Sequence, residues 1–283
     1  MLKVGEATIQ TIFELDAGKV IADIMLKATP EAIKAISWLA PQYADATGRL
    51  KAVNQSFLVK IGGKNILIDT CVGNRRERPG FPEWENLDTP YLNNLKQLID
   101  PAEVDFVICT HLHFDHIGWN AQWQDDKWAP LFPNAKYVID RQEYDYWANN
   151  PQKEMIDDLN AIEESIEPLR ADGLLHLVDE NQEILPGVRL IATPGHTPHH
   201  DAILLESGGE SALFVGDVFH HPCQIAHPEW ESFDTDTPKA IEIRNILLNT
   251  YADTPTIIIG AHFAEPAWGR VVKTGKGYEL GGV

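Results

Sequence analysis

Cysteine is nearly missing from this 283-residue chain: only Cys71, Cys109 and Cys223 occur. Three scattered thiols are too few for a disulfide framework, so a reducing, cytoplasmic setting is expected. Basic residues are also scarce, 23 Lys and Arg against 42 Asp and Glu, for a formal net charge of −19. An acidic surface repels phosphate backbones, which argues against a nucleic-acid partner. No apolar run approaches the ~20 residues that cross a bilayer, so no membrane role is expected. The opening Met1-Leu2-Lys3-Val4-Gly5-Glu6 lacks the apolar core of a signal peptide. Repeats and low-complexity linkers are absent too, and residues 1–283 are expected to form a single domain. What the chain does have is a 44% hydrophobic content, enough for a full core.

Apolar patterning divides the chain into strands and helices. Residues 4–24 read as strand, turn at Ala17-Gly18-Lys19, strand. Pro30 to Leu39 reads as a short helix. Asn54–Ile61 and Asn65–Thr70 flank Gly62-Gly63-Lys64 as a hairpin, and Asp69 closes the second strand. A long charged and aromatic loop runs from Gly73 to Asp88, and Thr89 to Ile99 reads as a helix. Trp119, Trp123 and Trp128 fall in a loop. Lys136–Asp140 is a strand, and Arg141–Trp147 and Gln152–Leu169 look helical. Strands follow at 174–178, 188–193, 202–206 and 212–215, then a helix over 237–251 and strands at 256–259 and 268–272. Two similar blocks of strands and helices favour two packed sheets with helices outside, an α/β (α+β) fold of four αββα layers.

The densest chemistry lies in Thr110-His111-Leu112-His113-Phe114-Asp115-His116, directly after the apolar run Phe106-Val107-Ile108-Cys109. If strand geometry persists, His111 and His113 point to one side. Asp115 and His116 then need a change of direction, for which Gly118 and Asn120 are suited. A lone histidine here would read as an ordinary loop residue. Three imidazoles and a carboxylate buried together without a cation would instead cost several kcal/mol, and their donor atoms suit Zn²⁺ and its neighbours.

Three more strand ends carry ligand-type residues: Gly195-His196, Gly216-Asp217 and Gly260-Ala261-His262. Together they make seven candidate ligands, His111, His113, Asp115, His116, His196, Asp217 and His262. That is too many for one tetrahedral zinc and suits two adjacent ions sharing a carboxylate.

This pattern, His-x-His-x-Asp-His followed by a lone His, an Asp and a final His, resembles the metallo-β-lactamase superfamily over about Asn54 to His262. The resemblance implies the αββα sandwich. It also implies that His111, His113 and His196 hold one metal, that Asp115, His116 and His262 hold the other, and that Asp217 bridges them. Asp69 matches the family's Leu-Ile-Asp-Thr segment, where it would orient a ligand. The stretch from Asp217 to Asp236 is similar to the branch of methyl-parathion-hydrolase-type phosphotriesterases and quorum-quenching lactonases. Where many of those lactonases carry a tyrosine, three residues after the bridging Asp, this chain has His220.

The resemblance therefore implies a hydrolase with two divalent ions, zinc first and Fe, Mn or Co as alternatives, cleaving lactone or aryl ester bonds. An organophosphate triester hydrolase, a glyoxalase-II-like thioesterase and a mono-iron dioxygenase are the alternative readings. Catalytic roles are expected for Asp115, as proton donor to the leaving group with a metal-bound water as the alternative donor, and for His220, as hydrogen-bond donor to the substrate oxygen. Trp84, Trp119, Trp123, Phe219 and Trp230 suggest an apolar pocket for a neutral small molecule. Arg75, Arg76 and Arg78 would serve an anionic thioester. A homodimer is expected. His199 and His200 read as supporting residues, His221 and His227 as pocket wall or packing, and His176 as surface.

Overall fold

The computed structural model describes residues 1–149 and 156–283. The chain divides into two compact units, Met1–Leu15 with Asn54–Glu180, and Asp16–Val53 with Asn181–Val283.

The first unit is built on a seven-stranded sheet. Its strands are β1 (Leu2–Val4), β2 (Ala7–Asp16), β3 (Val53–Ile61), β4 (Lys64–Ile68), β5 (Phe106–Ile108), β8 (Lys136–Asp140) and β9 (Leu175–Val178), in that order. The hairpin pair β3–β4 is antiparallel, whereas β4–β5, β5–β8 and β8–β9 are parallel. Parallel neighbours bury β5 on both faces, which explains its unbroken apolar run; Val107 and Ile108 are fully buried. A separate hairpin, β6 (Ala121–Gln124) and β7 (Lys127–Pro130), holds Trp123 opposite Trp128 where a loop was expected. Asp125 and Asp126 both take positive φ there, 51° and 59°, as a two-residue hairpin turn requires.

The second unit carries the other seven-stranded sheet: β10 (Glu183–Leu185), β11 (Val188–Ala192), β12 (Asp201–Ser207), β13 (Glu210–Phe214), β14 (Ile257–Ile259), β15 (Trp268–Thr274) and β16 (Gly277–Gly281). The pair β13–β14 is parallel, whereas β10–β11, β11–β12, β12–β13, β14–β15 and β15–β16 are antiparallel. All three isoleucines of β14 are buried, each stabilising by roughly 2 kcal/mol.

The helices are α1 (Gly18–Ile24), α2 (Pro30–Ala35), α3 (Tyr91–Lys96), α4 (Phe114–Ile117), α5 (Arg141–Asn149), α6 (Ile156–Ser165), α7 (Glu167–Ala171), α8 (Cys223–Ala226) and α9 (Thr237–Tyr251). In place of the strand expected after the Ala17-Gly18-Lys19 turn there is α1: Asp16 Oδ1 accepts the Gly18 N–H at 2.9 Å, ending β2, and Val20 and Ile21, with Met25 at the C-cap, are buried. The helix expected over 152–169 lies partly outside the described residues. Within them it is split into α6 and α7, with Pro168 inside the first turn of α7. Longest among the described residues is α9, capped by Asp236, whose carboxylate accepts the Lys239 N–H at 3.0 Å. No helix among the described residues is long and apolar enough to cross a membrane.

Candidate metal centre

In the first unit the ligand-type residues stand immediately beyond β5. His113 keeps extended dihedrals, φ −66° and ψ 148°, so His111 and His113 stay on one side with ring centroids 4.7 Å apart. The turn expected at Gly118 is made earlier, by α4, which starts at Phe114 and carries Asp115 and His116 in its single turn. Gly118 has a different task. A Cβ there would lie 1.8 Å from the Val72 carbonyl, so only glycine lets the Asp69–Gly73 loop pass beneath α4.

The Asp69 carboxylate organises this half. It accepts the Thr110 N–H at 2.8 Å and the Thr110 hydroxyl at 2.9 Å, and it lies 2.9 Å from His116 Nδ1. Because Thr110 donates its hydroxyl proton to Asp69, its oxygen accepts from His111 Nδ1 at 3.0 Å. Both rings therefore carry their proton on Nδ1 and turn Nε2 outward as a lone-pair donor, the tautomer a metal needs. Asn54 Nδ2 reaches Asp115 Oδ2 at 3.3 Å, and that oxygen is 3.7 Å from His116 Nε2. From α5, Glu143 accepts the Leu112 N–H at 3.1 Å and the Trp147 indole N–H at 2.7 Å, and the Trp147 ring meets His113 edge-on at 5.4 Å.

In the second unit three imidazoles converge on one carboxylate. Asp217 Oδ2 lies 3.3 Å from His196 Nε2 and 3.2 Å from His220 Nε2, while Oδ1 lies 3.1 Å from His262 Nε2. His262 Nδ1 donates to the Val53 carbonyl at 3.1 Å, which leaves its Nε2 as the ligand atom. Burial pulls the His196 imidazole down, but Asp217 and then Asp234 outweigh it and push its pKa up to about 9. Gly195, at φ +144°, brings this loop against α9, where a Cβ would sit 2.5 Å from the Ala240 nitrogen.

Ligand atoms of His111 with His113, of Asp115 with His116, and of His196 with Asp217 each lie within 4.8 Å. Buried imidazole nitrogen and carboxylate oxygen, with the far ring nitrogens of His111, His116 and His262 already held, are the donor set of a zinc-type site. The metallo-beta-lactamase superfamily model matches residues 51–262, three quarters of the chain. The chain belongs to that superfamily.

Similarity to individual members agrees with this. An N-acyl homoserine lactonase from Bacillus sp. is 31% identical over 121 residues, 41% of this chain and 39% of that protein. The match thus spans about two fifths of that relative's length. A solved structure described as hydrolase AbOPH in the beta lactamase superfamily has a TM-score of 0.79 and 26% identity, over 100% of this chain and 96% of that one. A second, described as AidC, a dizinc quorum-quenching lactonase with a bound product, has a TM-score of 0.78 at 24% identity, again over 100% and 96%. These likenesses bear out the mixed α/β class and the metallo-β-lactamase fold.

The remaining histidines of this superfamily member sort by their partners. His200 is committed on both nitrogens: Nε2 accepts the Asp217 N–H at 3.1 Å and Nδ1 faces the Thr193 hydroxyl at 2.8 Å. It supports the Asp217 backbone and has no nitrogen left for a metal. His221 is likewise occupied, accepting the Cys223 N–H at Nδ1 and donating to the Tyr43 carbonyl from Nε2 at 2.8 Å. Burial pushes its pKa down to about 4, so it is a neutral packing residue. The His220 ring is fixed at Nδ1 by Ser232 Oγ at 2.9 Å, and Ser232 in turn accepts from Gln224 at 2.8 Å. His227 stacks on Trp230 at 4.3 Å and pairs with Glu229, 40% exposed. His176 is exposed on β9 as expected, and His199 is half-buried.

Arg76 and Arg78, expected as anchors for an anionic substrate, are buried instead. Both bond Glu164 Oε2, at 2.9 and 3.1 Å, and Arg76 also donates to the carbonyls of Gly118 and Ala121. Trp119 is buried and donates its indole N–H to Glu14, while Trp123 is half exposed. Asp234, Asn54, Glu143 and Glu14 support the site without a local sequence signature. Asp234 alone sat in a segment that the family resemblance had drawn attention to.

Proposed function

We propose that this chain is a metal-dependent hydrolase of lactone and ester bonds that uses a pair of divalent cations and works as a single catalytic domain. The carrying observation is Asp217, whose two oxygens face different imidazoles, His196 at 3.3 Å and His262 at 3.1 Å. A carboxylate divided this way suits a bridge. His111, His113 and His196 would hold one cation, and Asp115, His116 and His262 the other, with zinc favoured by the donor set and Fe, Mn or Co also compatible. Such a pair supplies an activated water at neutral pH and polarises the scissile carbonyl.

The chain's own residues set the remaining terms. Thr110, Asp69 and the Val53 carbonyl hold the rings of His111, His116 and His262 by Nδ1. Asn54 anchors one oxygen of Asp115, which orients that carboxylate to take the proton released by the attacking water and pass it to the leaving alkoxide. Ser232 fixes His220, and we assign its Nε2–H to the substrate carbonyl oxygen, beside Asp217. Phe81, Trp84 and Phe114 form an aromatic cluster with centroids 5.0–5.9 Å apart, next in sequence to Asp115, which suits an apolar acyl or aryl group. With Arg76 and Arg78 committed to Glu164, a neutral substrate is favoured over an anionic thioester. The lactonase relative supports a lactone as the first substrate class to try.

The test is a panel of γ- and δ-lactones, aryl esters, a phosphotriester and a glutathione thioester, with metal analysis of the purified protein. Two zinc-like ions per chain and lactone or ester turnover that stops on chelation are expected. One iron with oxygen uptake, or turnover that survives exhaustive chelation, would overturn the proposal.

A further inference from the structure

We infer that Asp234, paired with Arg244, is the positioning residue that holds His196 in ligand geometry and ties it to Asp217; this rests on the metallohydrolase reading above. The side chains of Asp234 and Arg244 are both fully buried. Asp234 Oδ1 lies 3.5 Å from His196 Nδ1, and Oδ2 accepts from Arg244 Nη2 at 3.0 Å. The same guanidinium donates to the Pro228 carbonyl at 2.9 Å and to the Val218 carbonyl at 3.4 Å. Val218 follows Asp217 directly. One cation therefore joins the segment behind one ligand to the carboxylate behind the other.

The backbone repeats the connection. Thr235 N–H donates to the His196 carbonyl at 3.0 Å and Asp236 N–H to the Gly195 carbonyl at 2.9 Å. Gly195 abuts Ala240 on α9, the helix that also carries Arg244. Phe233, just before Asp234, holds a left-handed φ of 40°. An aromatic residue pays strain for that conformation, and the strained step is the one that turns Asp234 inward while Phe233 stays 45% exposed. A buried carboxylate is costly without a countercharge, and Arg244 supplies one. A carboxylate at Nδ1 selects the tautomer that leaves Nε2 open toward Asp217. Simple packing of α9 would need Arg244 and its carbonyl partners, but no carboxylate directed at an imidazole.

The experiment measures zinc affinity and stoichiometry by competition with a chromophoric chelator, beside circular dichroism and steady-state kinetics. Asp234→Asn is expected to keep the wild-type spectrum, to bind one of the two ions about 10–100-fold more weakly, and to lose kcat with KM little changed. Should that variant not fold, Asp234→Ala combined with Arg244→Met removes both charges together and leaves no unpaired ion. The same loss of zinc affinity is expected from it. Binding of both ions within threefold of wild type by either folded variant would overturn the inference. A wild type that binds none of zinc, Fe, Mn or Co would sink the metallohydrolase reading and this inference with it, whereas unchanged affinity in the variants sinks this inference alone.

Discussion

In the first unit four ligand-type side chains fall within six positions, His111 to His116; in the second, three are spread from His196 to His262. The first set is organised by one carboxylate, Asp69, which gathers Thr110 and His116 and through Thr110 sets His111. The second is organised around Asp217 itself, on which His196, His220 and His262 converge from three segments, with His200 holding its backbone N–H. Proximity in sequence thus does for one half what strand endings and α9 do for the other. The dispersed half depends on more of the fold, so damage to it should reach further.

The sharpest way to break the comparison is Asp217→Ala. It removes the partner of three imidazoles at once, so turnover should fall by more than about 10²–10³-fold, the range for losing a single oxyanion stabiliser. Metal content should drop from two ions toward none. Chelation of the wild type should mimic it and lower Tm, because an ion present at 100 times its Kd stabilises by about 2.7 kcal/mol. Near-wild-type turnover with two ions retained by Asp217→Ala would show that the second half is not built around that carboxylate.

Asp69→Asn comes next. The amide keeps the shape but presents N–H where His116 or Thr110 needs an acceptor, so metal affinity or turnover should fall about 10–100-fold, with little change in circular dichroism. A drop confined to the ion proposed for Asp115 and His116 would show that the two halves can be loosened separately. Equal loss of both ions would show that they cannot.

How much of this was legible in the residues themselves follows the same division. The contiguous half could be read directly, because strand alternation already places His111 and His113 together and a buried set of such groups demands a cation. The dispersed half was legible only as a recurring form, apolar strand, glycine, ligand. It was the repetition that gave it weight. Apart from Asp69 and His200, the supports were not legible. Nothing local marks Glu143, Asn54 or Glu14, since each acts through a contact made across many residues of chain. His200 reads as a supporting residue and its partners agree, whereas His221 reads as pocket wall or packing, and only its hydrogen bonds show that both its nitrogens are spent. Likewise α1 was read as a strand, because a seven-residue helix opened by an Asp16 side chain carries too short a period to outweigh the alternation before it.

The two halves also differ in how their outer carboxylates are charged. Burial would raise Asp234, but His196 and then Arg244 outweigh it and hold it low. Glu14, in the first unit, has no such cation in hydrogen-bond reach. It accepts the N–H groups of Val72 and Gly73, the Trp119 indole and the Thr89 hydroxyl, yet burial pushes its pKa from 4.5 up to about 7. A folded-state pKa above the unfolded one means that the folded protein binds the extra proton. Stability should therefore fall as pH rises from about 4.5 to about 7, by about 3 kcal/mol in all. Glu14→Gln should lack that slope, although it places an amide donor against the Val72 N–H and lowers stability at every pH. Urea melts of both proteins at pH 5 and 7.5 read the difference. Parallel pH dependence would mean that the four donors keep Glu14 ionised throughout.

The smallest effect belongs to a histidine that neither half uses. His227 lies only ten residues beyond Asp217, in a segment otherwise packed around the site. Its ring, however, faces solvent, stacks parallel to Trp230 at 4.3 Å and pairs with Glu229. An exposed pair of this kind contributes less than about 1 kcal/mol. His227→Ala should leave metal content and kcat/KM unchanged and shift stability by about 0.5 kcal/mol. The contrast with His220, seven positions earlier and fully enclosed by Asp217, Ser232 and Gln224, is the useful part. If both substitutions weaken turnover alike, the histidine-rich tail acts as one surface. If only His220→Ala does, enclosure by partners rather than nearness in sequence separates the working histidines from the rest.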